Sequence, residues 1–199
     1  MNNDDSENQN SEYSDSVPIP PAFFSLEADG PFEKCLLCGC ELRTSGLPYM
    51  VERIFKGSEP IIEYAMCQSC ISASHEELSE ASRDSIRDWF RGRFDPLSRI
   101  RLMNRYQENA ADIQSLFGEC AITGTAAEDC KERQIMAMCQ GDELLVGVGS
   151  PMMISGVAMR QIAELLSEQT RGWMDDFVGD NFGMPPEFCD NPDLMPLFI

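Results

Sequence analysis

The chain of 199 residues contains only one histidine, His75. A single histidine leaves little room for mechanisms that rely on a histidine base, and no motif places a serine or cysteine nucleophile beside it. A phosphate-binding Gly-x₄-Gly-Lys motif is missing, and Gly147-Val148-Gly149 lacks the third glycine of a dinucleotide loop because Met152 stands there. The sequence therefore predicts a protein that is not an enzyme, with no small-molecule substrate evident.

Basic residues are also scarce, because 15 Lys and Arg face 34 Asp and Glu and give a formal net charge of −19. Since phosphate backbones bind to Lys and Arg, this charge argues against a general nucleic-acid binder. No apolar run reaches the roughly 18 residues of a membrane helix. The first ten residues lack the basic and apolar regions of a secretory signal. We therefore predict a cytoplasmic protein without a membrane partner.

Nine cysteines are present, and four of them form two Cys-x-x-Cys pairs, Cys35 with Cys38 and Cys67 with Cys70. In a reducing compartment such pairs indicate metal binding, whereas a secreted disulfide framework is the alternative. Zn²⁺ prefers four tetrahedral ligands, so two pairs brought together by a hairpin predict one structural Cys₄ zinc site. Buried thiols, a redox dithiol and an iron centre are the other interpretations of these four residues.

The order of these elements resembles a known class of zinc fingers. Cys-Leu-Leu-Cys-Gly, a hairpin, and Cys-Gln-Ser-Cys opening a helix together look like a treble-clef or zinc-ribbon finger. Cys-x-x-Cys-Gly followed by Cys-x-x-Cys-Ile is similar to the zinc-binding domain of the Clp protein unfoldases, although the spacer here is longer. The resemblance covers only residues 35 to about 90. It implies metal-ligand roles for the four cysteines and carries over no unfoldase activity.

The other cysteines have weaker patterns. Cys40 is a spare thiol two residues beyond the first pair. A second site would need Cys120, Cys130, Cys139 and Cys189, but their spacings fit no common half-site, so ordinary partly buried thiols are the alternative.

The pattern along the chain predicts an α+β fold built from a small zinc-stabilised unit and a related second unit. Residues 32–94 form the first unit, with a hairpin around Gly57 and a helix that starts at the second cysteine pair and runs to about residue 94. Asp95-Pro96 begins a linking helix over residues 95–117. The remaining predicted parts are a disordered acidic tail over 1–31, a second hairpin–helix unit over 118–182 and a Pro-rich C-terminal tail over 183–199.

The two units suggest an internal duplication. The segment around Cys35 matches the segment around Cys120 at a displacement of 85 residues. At a displacement of 84, Gly57 falls on Gly141 and Trp89 falls on Trp173. Cys38 falls on Thr123 at the first displacement, and Cys67 and Cys70 fall on Pro151 and Ile154 at the second, so the second copy is predicted to be free of metal.

Seven of the fifteen basic residues lie between Arg83 and Arg105. Arg83, Arg87 and Arg91 are spaced four residues apart and share one stripe of a helix. This stripe is a candidate surface for an acidic protein partner, and nucleic-acid binding and internal neutralisation are the alternatives. We predict a non-enzymatic zinc-binding protein that acts through protein–protein contacts, with a thiol-based redox or metal sensor as its first rival.

Overall fold

The computed structural model describes residues 13–108 and 112–183. Its strands are β1 (Tyr13–Pro18), β2 (Tyr49–Lys56), β3 (Glu59–Cys67), β4 (Glu132–Gln140), β5 (Glu143–Gly147) and β6 (Met152–Ser155). Its α-helices are α1 (Gln68–Glu77), α2 (Glu80–Arg91), α3 (Pro96–Glu108), α4 (Gly156–Ala163) and α5 (Glu168–Phe182). The fold is therefore mixed α+β, as predicted. Among these described helices, none is both long and apolar enough to cross a membrane.

Two antiparallel hairpins form where the sequence predicts them. The first joins β2 to β3 at Gly57, and the second joins β4 to β5 at Gly141. Both glycines have a positive φ, 61° and 59°, which a two-residue hairpin turn requires and a side chain disfavours. The local sequence is therefore sufficient to place both turns.

The six strands form one sheet in the order β1-β5-β4-β2-β3, and β6 also pairs with β4. The first strands of the two hairpins lie side by side at its centre, where Tyr49 pairs with Cys139. Both β5 and β6 pair with β4, and together they occupy the place that the single strand β3 occupies beside β2. Tyr49 faces Cys67 in the first hairpin, and Arg133 faces Ser155 in the second. In the second hairpin, residues 148–151 separate β5 from β6, whereas β3 of the first hairpin is continuous.

One hydrophobic core runs through both hairpin–helix units. Tyr64 of β3 packs against two rings of α5, with centroids 5.9 Å from Phe177 and 5.7 Å from Phe182. α5 therefore packs against the first hairpin. The proposed boundaries between the units remain a prediction, but their cores are continuous.

The helix predicted from the second cysteine pair to about residue 94 is in fact two helices, α1 and α2, because Ser79 begins a new helix with its side chain as N-cap. Likewise, the helix of the second predicted unit is divided into α4 and α5, and Ser167 caps the second. The two caps meet, with their Oγ atoms 2.9 Å apart. The apolar spacing continued through both breaks, so periodicity alone could not reveal them.

Reciprocal hydrogen bonds join these two helix starts. The Ser79 N–H donates to Thr170 Oγ1 at 3.0 Å, and the Ser167 N–H donates to Ser82 Oγ at 2.9 Å. Ser82 and Thr170 are completely buried. The side chains of these four residues therefore satisfy backbone donors at both helix starts and hold α2 against α5.

The expectation of a disordered tail over 1–31 is wrong for residues 13–31, and residues 1–12 lie outside the described part. β1 pairs with β5, and Phe23 is fully buried against Phe117 at a ring distance of 5.1 Å. Acidic composition suggested disorder, but the edge of β5 supplies backbone partners and the core accepts the few apolar side chains.

The linking helix predicted over 95–117 is shorter than expected. α3 covers Pro96–Glu108, and a 3₁₀ turn over Ile113–Leu116 follows. Of the C-terminal tail predicted over 183–199, only Gly183 is described, as the left-handed C-cap of α5 with φ 72°. Residues 184–199 lie outside the described residues.

Candidate metal centre

The four cysteines of the two Cys-x-x-Cys pairs converge, as predicted. Their Sγ atoms all lie within 4.8 Å of one another. Cys35 and Cys38 come from a short turn, the first knuckle, which we define as residues 34–41. Cys67 is the last residue of β3 and the N-cap position of α1, and Cys70 lies in the first turn of that helix. The hairpin therefore carries the second pair back to the knuckle.

The backbone of the first knuckle is fixed by its own hydrogen bonds. The Cys35 N–H donates to Cys40 O at 2.9 Å, and the Gly39 N–H donates to Cys35 O at 2.9 Å. Gly39 has φ 67°, a conformation that residues with a side chain rarely adopt. The turn therefore holds the sulfurs of Cys35 and Cys38 close together through its own backbone.

The distance between the sulfurs of Cys38 and Cys67 matches the edge of a tetrahedral zinc site. Cys38 Sγ and Cys67 Sγ are 3.7 Å apart. A tetrahedron with zinc–sulfur bonds of about 2.3 Å has sulfur–sulfur edges of about 3.8 Å. In addition, the Cys67 N–H donates to Cys35 Sγ at 3.4 Å, a contact that stabilises negative sulfur. The four residues can therefore hold one metal ion, and their soft thiolates suit Zn²⁺.

The thiols also perturb one another. The backbone amide of Cys40, followed by the neighbouring thiols, lowers the pKa of Cys38 to about 6. Burial and hydrogen bonds to Cys67 and Cys38 instead raise the pKa of Cys70 well above its usual range. A cluster of four close sulfurs therefore favours one thiolate and suppresses ionisation of others, and a divalent cation removes this conflict.

Of the remaining cysteines, Cys40 is exposed and is not one of the four converging ligands. Its pKa is raised to about 12, first by a hydrogen bond with Cys38 and then by burial. The alternative second site receives no support within residues 13–108 and 112–183. There Cys120, Cys130 and Cys139 are buried but form no further group that can hold a metal, and Cys189 lies outside these ranges.

Cys120 belongs to a second turn that matches the first knuckle closely. We call residues 119–126 the second knuckle. The Cys120 N–H donates to Thr125 O at 2.8 Å, and the Gly124 N–H donates to Cys120 O at 2.9 Å. Gly124 has φ 68°. Each of these features occurs in the first knuckle 85 residues earlier.

The start of α4 lies against the second knuckle as the start of α1 lies against the first. The Ser155 N–H donates to Cys120 Sγ at 3.2 Å. Thr123 Oγ1 is 3.4 Å from Ser155 Oγ. By place in the fold, Cys38, Cys67 and Cys70 therefore correspond to Thr123, Ser155 and Ala158.

This corrects the register predicted from the sequence, in which Cys67 and Cys70 fell on Pro151 and Ile154. Residues 148–151 lie between β5 and β6 and have no counterpart in the first hairpin, so the displacement between matching positions rises from 84 in the hairpins to 88 in the helices. The match of Trp89 with Trp173 is consequently wrong by four residues, which is about one helical turn. A shift of four residues hardly changes the helical phase, so the periodicity could not expose it.

Two of the seven arginines between Arg83 and Arg105 are paired with aspartates of their own helix, α2. Arg87 binds Asp84 and Arg91 binds Asp88, each at 2.6 Å and with exposed side chains. Arg99 is buried and donates to the backbone oxygens of Val148, Leu116 and Pro151. Arg83 lies at a cavity of about 600 Å³ between α2 and the sheet, a feature that the sequence did not reveal. A binding role for Arg83, Arg87 and Arg91 stays a prediction.

In comparisons with known proteins, no family model, no curated protein and no solved structure matches this chain. The resemblance to treble-clef fingers therefore rests on the four cysteines and the elements that carry them. The cysteines, hairpin and helix start occur in the expected order.

Proposed function

We propose that the protein is a non-enzymatic zinc-binding protein whose single Cys₄ centre is structural. The convergence of four sulfurs within 4.8 Å, from two distant segments, carries this proposal. Four thiolates complete the tetrahedral shell of Zn²⁺ and leave no position for water or substrate. The role of such an ion is to pin the first knuckle to the end of β3 and the start of α1.

We further propose that the two hairpin–helix units are copies of one treble-clef-like unit. Matching knuckles, matching strand registers and reciprocal helix caps support a common origin. The insertion at 148–151 accounts for the change in displacement. On this proposal only the first copy has the ligands for metal.

We propose that this zinc-binding protein acts by contacting another protein. Leu37 in the first knuckle is 42% exposed, and Leu47, just before β2, is 57% exposed. These apolar side chains lie on the two segments that flank the metal centre. We propose that they belong to a contact surface which the bound ion keeps in shape.

The contact surface can be tested with a double variant, Leu37→Asp with Leu47→Asp. We expect it to keep the ion and the fold but to lose a co-purifying partner. Leu97→Asp is the matched control, because Leu97 is 66% exposed on α3, away from the centre in sequence. Equal loss of the partner in both variants would disprove this assignment.

Metal content tests the main proposal. We expect elemental analysis to find about one zinc per purified chain, and Cys67→Ser to abolish it. Cys40→Ser is the control, because it removes an exposed thiol beside the centre that is not one of the four ligands. We expect chelation to lower the thermal midpoint of the wild type and of Cys40→Ser, since metal binding contributes folding free energy. A stable, chelator-insensitive wild type without metal would exclude a structural ion.

The exposed thiol of Cys40 favours a redox or metal sensor as the second candidate function. Its hydrogen bond with Cys38 places a spare thiol next to a ligand. In that case mild peroxide would oxidise two thiolates to a disulfide, reduce peroxide to water and release the ion reversibly. Cys40→Ser would then resist metal release, whereas a purely structural centre predicts the same release rate in both proteins.

A further inference from the structure

The most informative feature outside the metal centre is the second knuckle, where one thiol, two hydroxyls and one methyl group occupy the places of the four ligands. We infer that the second knuckle, together with Ser155 and Ala158, is a former metal centre that lost three of its four ligands by substitution. Its backbone still holds the four positions so that cysteines there would bind an ion. The inference rests on the proposed duplication and names the positions that would ligate. It concerns a second ion and is therefore separable from the ion at Cys35, Cys38, Cys67 and Cys70.

The first argument is the agreement of the backbone around the two sulfurs that correspond. Cys35 Sγ accepts the Cys67 N–H at 3.4 Å, and Cys120 Sγ accepts the Ser155 N–H at 3.2 Å. Both cysteines are buried. The N–H···S contact that orients a ligand in the first knuckle is thus retained in the second.

The second argument is the spacing of the substituted side chains. Thr123 Oγ1 and Ser155 Oγ are 3.4 Å apart, against 3.7 Å between Cys38 Sγ and Cys67 Sγ. The side chains of Cys38 and Thr123, which correspond to each other, are also both exposed. Carbon–sulfur bonds are longer than carbon–oxygen bonds, so thiols at these two positions need only a small adjustment.

The third argument explains how the second knuckle holds without an ion. Ser155 Oγ accepts the Ala158 N–H at 3.4 Å as the N-cap of α4. Thr123 Oγ1 is 2.9 Å from Thr125 Oγ1 as well as close to Ser155. These neutral hydrogen bonds join the knuckle to the helix start at the place where the first unit has four sulfurs. Ala158 is buried and fills the fourth position with a methyl group.

The test is the variant Thr123→Cys with Ser155→Cys and Ala158→Cys, which together with Cys120 supplies four thiolates. Zinc content and cobalt absorption are measured after loading with each metal alone. We expect two zinc ions per chain and about twice the cobalt–thiolate absorption of the wild type. The control adds the same number of cysteines at exposed positions, as Glu128→Cys with Val157→Cys and Glu164→Cys. We expect this control to keep one ion.

The outcomes separate the inference from the proposed function. One ion in the triple variant, at the first centre only, would overturn the inference and leave the structural zinc site in place. No ion in either the wild type or the variant would refute both. If Ala158→Cys prevents folding, the double variant Thr123→Cys with Ser155→Cys still offers three thiolates. A second ion that a moderate chelator removes is then expected, and its absence would overturn the inference.

A reverse exchange gives an independent readout. Cys38→Thr with Cys67→Ser and Cys70→Ala installs the metal-free arrangement in the first knuckle. We expect this variant to fold without metal and to ignore chelators. The matched control Cys38→Val with Cys67→Ala and Cys70→Ala has similar volumes but no hydroxyls. We expect its folding equilibrium constant to be lower by about fivefold, as for the loss of an N-cap. Equal stability of the two variants would contradict the substituting role of the hydroxyls.

Discussion

A carboxyl group buried in the centre of the sheet gives the sharpest stability prediction. Glu52 lies on β2, has no exposed surface, and accepts a hydrogen bond from the Tyr64 hydroxyl of β3. Burial, opposed by hydrogen bonds from Tyr64 and Gln134, raises the pKa of Glu52 from 4.5 to about 8. The folded protein therefore keeps this carboxyl protonated at neutral pH, whereas the unfolded chain ionises it.

The sign of the resulting pH dependence follows from proton binding. Between 4.5 and about 8 the folded state holds a proton that the unfolded state releases, so stability falls as pH rises. Each pH unit in that window lowers the free energy of unfolding by about 1.4 kcal/mol. At pH 7, two and a half units above the ordinary pKa, Glu52 makes the fold about 3 kcal/mol less stable than it is at a pH below 4.5.

Glu52→Gln removes the ionisable group and keeps an oxygen that accepts the Tyr64 hydroxyl. We expect its stability advantage over the wild type to grow by about 2 kcal/mol between pH 6 and pH 8, because the dependence flattens as pH approaches the folded pKa. Urea unfolding at a series of pH values measures this difference, with zinc present throughout. Glu59→Gln, an exposed change of the same kind on β3, serves as control. Parallel curves for Glu52→Gln and the wild type would refute the reasoning.

Three further predictions concern the helix caps and the arginines. Thr170→Ala removes the acceptor for the Ser79 N–H and should lower the free energy of unfolding by about 1–3 kcal/mol, whereas Thr170→Ser should largely preserve it. Arg99→Met leaves three backbone oxygens without their donor and should cost about 3 kcal/mol or more in urea unfolding; the exposed Arg101→Met should change little. Because Arg87 and Arg91 are already paired with aspartates, we expect no binding to duplex DNA at physiological salt by fluorescence anisotropy; binding that weakens steeply with salt and disappears in Arg87→Glu would contradict this.

The sequence predicted those parts of the fold that depend on neighbours along the chain. Gly57 and Gly141 mark the two hairpin turns because few other residues tolerate their backbone conformation. Asp95-Pro96 marks the start of α3 for a similar reason. The Cys-x-x-Cys pairs identified the four converging sulfurs because metal ligands must recur at the spacing of a single turn.

The sequence failed where a segment takes its partners from far away. Residues 13–18 belong to an acidic N-terminal segment whose composition does not suggest a strand, yet they pair with the edge of β5. Arg99 belonged to a stretch interpreted as a cationic surface, but the interior of the fold offers it three carbonyl oxygens. Composition averages over a segment and cannot detect such partners.

The amino-acid sequence by itself determined the hairpin turns, the starts of α1 and α3 and the ligand pairs, because each depends on the backbone preferences of a few adjacent residues. Only the tertiary structure decided that Ser155 and Ala158 correspond to the ligands Cys67 and Cys70. Their convergence depends on the register of β6 against β4 and on the four residues inserted before it, and register is fixed by packing across the sheet.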